Sequence, residues 1–466
     1  MVVGTAPGLP GMGNAEGIAR PAGPLRTRPM MRAPGNPTPP MPCPPLRLRA
    51  SAARSSEFAG PGGFGHRLTR RGLAGLLVAA LAAAASATAD EDRRVREAAL
   101  GRLLFFDPNL SQPAGQACAS CHDPATAFAD PDASRPTSKG VHRDRFGPRN
   151  TPTALYAAFS PPLRFDRAAG HYVGGQFWDG RAATLEAQAK VPFLDPLEMA
   201  NPDVAAVVAK VRRAAYAGEF EALHGARALD EPDRAFARIA AAIAAYERTA
   251  ELAPFTSKHD AWLQGRAALS DRELRGLRLF NDPRKGNCAA CHPSQRRPDG
   301  GLPLFTDFTY DNLGVPANPD NPFYRLGRAH NPRGEGFADR GLGAAVKRRA
   351  EDGKFKVPTL RNIALTAPYM HNGYFATLRG VVAFYNDRDV LPRCRGRLAA
   401  AEAQRRGCWP APEVARNVNR EEMGRLGLTE REVDDIAAFL LTLTDGYRPE
   451  RPALPAPPTG SGGATP

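Results

Sequence analysis

Two five-residue runs in this 466-residue chain can do covalent chemistry: Cys118-Ala-Ser-Cys121-His122 and Cys288-Ala-Ala-Cys291-His292. A Cys-x-x-Cys pair sets two thiols one helical turn apart, where they can add to the two vinyl groups of a haem, and the adjoining His then reaches the iron. The competing chemistries are a zinc site and a dithiol redox pair. Zinc needs two further ligands per motif, and Cys394 with Cys408 could complete at most one; a redox pair has no use for the following His. Two covalently bound c-type haems are therefore expected, with His122 and His292 as proximal iron ligands.

The elements leading into the motifs repeat. Gly101-Arg-Leu-Leu104-Phe105-Phe-Asp107-Pro108 precedes the first, and Gly276-Leu-Arg-Leu279-Phe280-Asn-Asp282-Pro283 precedes the second. Shared Gly, Leu, Phe, Asp and Pro at one spacing imply two copies of one domain type. Each copy reads as helical. Ser270 with Glu273 and Thr429 with Glu432 form capping boxes ahead of the apolar stripes Leu274, Leu277, Phe280 and Val433, Ile436, Phe439, Leu440, Leu443. The stretches 203–216 and 233–251 also carry helical spacing, whereas 297–303 and 316–322 read as loops. The expectation is an all-α fold of two cytochrome c-like domains, 90–265 and 266–446, with long loops and a Pro-rich tail, 447–466.

Charge and the N-terminal pattern bound the setting. Net charge is +14, of which +8 belongs to residues 1–71, so the basicity is mainly a leader property and nucleic-acid binding is not expected. Residues 66–89 read as a secretory signal: Arg67, Arg70 and Arg71, an apolar run from Leu73 to Leu81, then Ala87-Thr88-Ala89 as cleavage site. That run is too short to span a membrane. A periplasmic protein cleaved near Ala89 follows, with 1–65 disordered or untranslated and no membrane span. Of the seven Cys, Cys43 lies in the leader. Cys394 and Cys408 either pair or stand as two free thiols in a surface insertion; pairing would stabilise by about 3 kcal/mol on the chain-entropy model.

With the haem motifs in place, three further runs resemble the bacterial di-haem cytochrome c peroxidase and MauG family: Gln176-Phe-Trp178-Asp-Gly-Arg181, Phe355-Lys-Val-Pro-Thr-Leu-Arg-Asn362 and Thr366-Ala-Pro368-Tyr-Met-His371-Asn-Gly373. The resemblance covers roughly 99–445. It implies that peroxide reacts at the haem of Cys118, Cys121 and His122, while the haem of Cys288, Cys291 and His292 relays or stores the second oxidising equivalent. It makes Glu198 the distal acid, with Gln188 and Pro192 as pocket neighbours; Glu186 is the competing carboxyl. Trp178 matches the tryptophan between the two haems. Asn150, Thr366 and Pro368 match a calcium site built from an amide oxygen and two backbone carbonyls. His142 falls where some members carry a histidine that caps the peroxidatic iron, and it can equally be a surface residue.

The family's peroxidases place Met as sixth ligand of the second haem, suited to accepting electrons from a small cytochrome c or a copper protein. This chain has Tyr385 there, the MauG-like state, and no Met lies between Met370 and Met423. Lys285-Gly286-Asn287 stands where MauG carries a surface tryptophan, so oxidation of the same protein partner is not expected. Three functions follow: a peroxidase fed by a periplasmic donor, a MauG-like oxidase of a protein or small molecule, and a di-haem electron carrier without peroxide chemistry. A homodimer is a family expectation.

Overall fold

The computed structural model describes residues 70–448. The leader 1–65 with Cys43, the first residues of the expected signal and the tail from 449 lie outside the described residues. The described chain is mostly helical: α1 (Arg70–Phe105), α2 (Leu185–Leu194), α3 (Val204–Arg213), α4 (Ala217–His224), α5 (Pro232–Glu247), α6 (Lys258–Leu263), α7 (Asp271–Asn281), α8 (Leu342–Ala345), α9 (Leu378–Asp387), α10 (Ala400–Arg405) and α11 (Glu430–Leu441). No helix among these is long and apolar enough to cross a membrane. α1 runs unbroken through Ala89, as its alanine-rich sequence favours.

Two small antiparallel ladders depart from the all-α expectation. β1 (Arg164–Asp166) pairs with β2 (His171–Val173), and β3 (Tyr310–Asp311) with β4 (Phe355–Lys356), in the registers Phe165↔Tyr172 and Tyr310↔Lys356. Strands of two or three residues are too short to leave an alternating pattern.

The repeat seen in the sequence is a repeat of packing. α1 crosses α5 where a Cβ on Gly101 would fall on the Ala242 carbonyl, and α7 crosses α11 where a Cβ on Gly276 would fall on the Asp435 carbonyl. Only glycine lets the backbones approach this closely. One turn further on, Phe105 meets Tyr246 edge-on at 5.4 Å and 63°, and Phe280 meets Phe439 at 5.1 Å and 62°. All four rings are buried, the kind of contact whose truncation costs about 3–5 kcal/mol. The apolar interior divides accordingly. One cluster runs from Leu100 to Leu252 with Leu304, a second from Phe280 to Leu443, and a third from Val315 to Met423.

Both sequence-predicted capping boxes form. Ser270 N–H donates to Glu273 Oε2 at 2.7 Å, and Thr429 N–H to Glu432 Oε2 at 2.8 Å. A buried pair ties the two halves: Arg361 donates to both carboxylate oxygens of Asp260, at 2.8 and 2.7 Å, with both side chains fully enclosed. The Arg361 guanidinium also lies over the Tyr156 and Phe255 rings at 4.9 and 4.5 Å. Cys394 and Cys408 form a disulfide, Cα–Cα 5.2 Å, rather than two free thiols.

Candidate active site

Each Cys-x-x-Cys-His run folds as a 3₁₀ turn, Cys118–Ser120 and Cys288–Ala290. The backbone N–H groups of His122 and His292 donate to the Cys118 and Cys288 carbonyls at 3.0 and 2.9 Å. Each imidazole is then fixed from behind. His122 Nδ1 donates to the Phe128 carbonyl at 3.0 Å and His292 Nδ1 to the Phe305 carbonyl at 2.7 Å, which assigns the proton to Nδ1 and leaves the Nε2 lone pair free. Matching threonines brace these loops: Thr153 Oγ1 donates to Ala127 O at 2.5 Å and Thr359 Oγ1 to Leu304 O at 2.6 Å.

None of the four motif cysteines enters a disulfide, and lost hydration pushes each thiol up to about 12. With Cys394 and Cys408 bonded to each other, the ligands that could have completed a zinc site are gone. Among the described residues no three His, Cys, Asp or Glu cluster as a metal site. Two thiols and one oriented imidazole lone pair beside a cavity, twice over, fit covalent haem and do not fit zinc.

The first cavity, about 380 Å³, is lined by Cys121, His122, Gln188, Pro192, Glu198 and Trp178. α2 starts at the cap Thr184, whose Oγ1 accepts from Ala187 N–H, and its residues Leu185, Gln188 and Pro192 share the cavity face at three- and four-residue spacing. Glu186 is on another face and pairs with Arg248 at 2.7 Å. After Pro192 the chain turns back. Glu198 N–H donates to the Asp195 carbonyl at 3.0 Å, and Asn201 Nδ2 anchors the turn on the Leu110 and Phe193 carbonyls, both at 2.8 Å. Glu198 is thereby delivered to the cavity wall. Lost hydration, with repulsion from Asp195, pushes its carboxyl up to about 7 against the pull of Arg181.

The second cavity, about 270 Å³, is lined by Cys288, Cys291, His292 and Tyr385. Val381, Val382 and Tyr385 share one face of α9, which the Thr377 side chain caps by accepting from Gly380 N–H at 3.1 Å. Burial raises the Tyr385 hydroxyl above its ordinary range, so it is neutral in the protein alone. Met370 and Met423, which bound the methionine-free stretch, also line this cavity: a gap in sequence is not a gap in space.

Trp178 lines both cavities. Its indole N–H donates to the Asn150 carbonyl at 2.8 Å, and its own carbonyl accepts from Lys356 N–H at 2.7 Å. Lys356 Nζ donates to Gly175 O at 2.6 Å; burial pushes this lysine down to about 8. Beside it Arg149 bridges Asp179 at 2.8 Å and Asp339 at 2.6 Å. Asn150, Thr366 and Pro368 meet on the second cavity's wall, with Asn150 Nδ2 at 2.5 Å from Pro368 O. His142 sits half-buried on the loop 139–146 and lines neither cavity. Sequence reasoning missed Glu247, a buried carboxyl on the first cavity's wall at the end of α5.

The geometry has close relatives. A family described as di-haem cytochrome c peroxidase matches residues 95–268. The chain is 43% identical over 382 residues to the methylamine utilization protein MauG of Paracoccus denitrificans, covering 80% of this chain and 95% of that one. It is 33% identical over 368 residues to the cytochrome c551 peroxidase of Nitrosomonas europaea, covering 77% and 83%. The crystal structure of the diheme peroxidase BthA from Burkholderia thailandensis superposes with a TM-score of 0.63 at 37% identity, covering 75% of this chain and 86% of that one. With a relative this similar over nearly its whole length, the chain belongs to the di-haem cytochrome c peroxidase and MauG family of oxidoreductases.

Proposed function

We propose that this chain is a periplasmic di-haem peroxidase that reduces hydrogen peroxide in the Glu198 cavity. Residues 90–265 form the domain that meets peroxide, with haem held by Cys118, Cys121 and His122. Residues 266–446 form the relay domain, with haem held by Cys288, Cys291, His292 and Tyr385. When bound, the haems supply iron for one-electron chemistry and conjugated rings for electron transfer.

The observation that carries the reading is Glu198, a carboxyl whose affinity for protons is poised near neutrality on the wall shared with His122. Splitting the O–O bond requires a proton to leave the near oxygen and reach the departing one. A group that both accepts and releases a proton near pH 7 is suited to that. Gln188, on the same wall, can hydrogen-bond peroxide without taking its proton. A plain electron carrier has no use for either group. Trp178 lines both cavities with its indole N–H fixed on the Asn150 carbonyl, and its ring would carry electrons between them. Asn150, Thr366 and Pro368 would hold a calcium ion through neutral oxygens, fastening the first half to the second.

Tyr385 favours a second reading, a MauG-like oxidase of a protein or small molecule. An anionic phenolate on iron would hold the second haem in its oxidised states better than a thioether does. Stopped-flow mixing of the di-ferric protein with peroxide separates the readings. Reaction without prior reduction is expected for the oxidase, reaction only after one-electron reduction for the peroxidase, and no reaction would remove both. Tyr385→Phe should keep haem content and shift the second haem's spectrum and potential; an unchanged spectrum would refute Tyr385 as ligand. Export rests on the Leu73–Leu81 run and the Ala87-Thr88-Ala89 site, and N-terminal sequencing of the periplasmic protein should read from near Asp90.

A further inference from the structure

The contacts of the two helix pairs correspond in spacing: Ala242 answers to Asp435 at the glycine crossings, and Tyr246 to Phe439 at the ring contacts four residues on. The next residues, Glu247 and Leu440, therefore occupy one position in the repeated unit. Each lines its own cavity. The repeat thus puts an aliphatic side chain on the second cavity and a carboxyl on the first. Glu247 is 6% exposed, and its Oε2 has no hydrogen-bond partner among the described residues. A buried polar atom without a partner costs about 1–3 kcal/mol, and a leucine at the same position in the other half avoids that cost.

We propose that Glu247 is a second proton-holding residue of the first cavity, taking protons from the surface and supplying them to the water formed there. The inference rests on the peroxide-reducing reading above. Reducing one peroxide to two waters takes up two electrons from a one-electron donor protein and two protons from solvent. Glu198 shuttles a proton already present, so it does not by itself import one. At Glu247 the carboxyl O–H breaks, an O–H forms on the oxygen being reduced, and the carboxylate is reprotonated from outside. The outward route is at hand: Glu186 and Arg248, paired at 2.7 Å, have side chains 38% and 48% exposed, and both act electrostatically on Glu247. Inward, Glu247 acts electrostatically on Cys118, as Glu198 also does, and both carboxyls line the same cavity. Burial, with Glu186 opposing Arg248, pushes Glu247 up to about 8, so it carries its proton at neutral pH.

The test uses the holoenzyme and two variants, Glu247→Gln, which keeps the shape, and Glu247→Leu, which copies the second half. Both should keep two haems per chain. An infrared carboxylic acid band should vanish with a midpoint near pH 8 in the wild type and be missing from Glu247→Gln but present in Glu198→Gln. Turnover with peroxide should fall roughly 10- to 100-fold in both Glu247 variants, with KM changed less than about twofold and the alkaline limb of the kcat profile abolished. Absence of the band at pH 7, or wild-type kcat and an unchanged alkaline limb in Glu247→Gln, would overturn the inference while leaving the Glu198 reading intact. A wild-type enzyme inert to peroxide would overturn both.

Discussion

The two halves share a scaffold and differ in what they point into their cavities. Both cross a glycine-notched helix pair, both lock a histidine through a backbone carbonyl, and both present two half-buried thiols. Into the first cavity come Glu198, Gln188 and Glu247; into the second come Tyr385, Met370, Met423 and Leu440. Duplication supplied the means of holding a haem twice. On the proposed function, departures from it at a few wall positions suit one cavity to proton chemistry and the other to storing or passing electrons.

The difference should first show in pH. Glu198 and Glu247 have folded pKa values raised above the ordinary 4.5, so their contribution to stability is full below about pH 4.5 and lost as pH rises through about 7 and 8. Denaturant titrations of the holoprotein should lose stability across that window, and Glu247→Gln should recover on the order of 4 kcal/mol of the loss. A flat wild-type profile would mean both carboxyls ionise freely. The likeness is tested by Gly101→Ala and Gly276→Ala. Each methyl meets backbone and should cost about 3 kcal/mol in thermal unfolding, to a similar degree in the two halves. Unequal losses would break the equivalence of the crossings. Smaller still, replacing Cys394 and Cys408 together by Ala, which opens a 14-residue separation found only in the second half, should cost about 2–3 kcal/mol and leave peroxide chemistry unchanged.

How far the sequence carried depends on whether a feature is local. The haem motifs, the paired entry helices and both capping boxes lie within a few residues of chain and were readable directly. Glu198 and Tyr385 were reached through resemblance, and the choice of Glu198 over Glu186 follows from the face of α2 that carries Gln188 and Pro192. Glu247 was hidden because it ends an otherwise ordinary amphipathic helix; its meaning comes from overlaying α5 on α11, about 190 residues apart. Met423 was hidden for a related reason, since the loop after α10 brings it back beside α9, where Gly424 N–H donates to the Tyr385 carbonyl at 2.6 Å. The β3–β4 ladder and the bridge from Arg149 to Asp339 depend on partners remote in sequence, whereas β1 and β2 are near neighbours too short to leave a pattern.

The central claim, that the first cavity is where peroxide is consumed and that a carboxyl moves the proton there, is tested most directly by rapid mixing of Glu198→Gln holoenzyme with peroxide beside the wild type. Peroxide consumption should fall by roughly 10²- to 10⁴-fold in Glu198→Gln, with both haems retained. Wild-type consumption in Glu198→Gln would contradict the account.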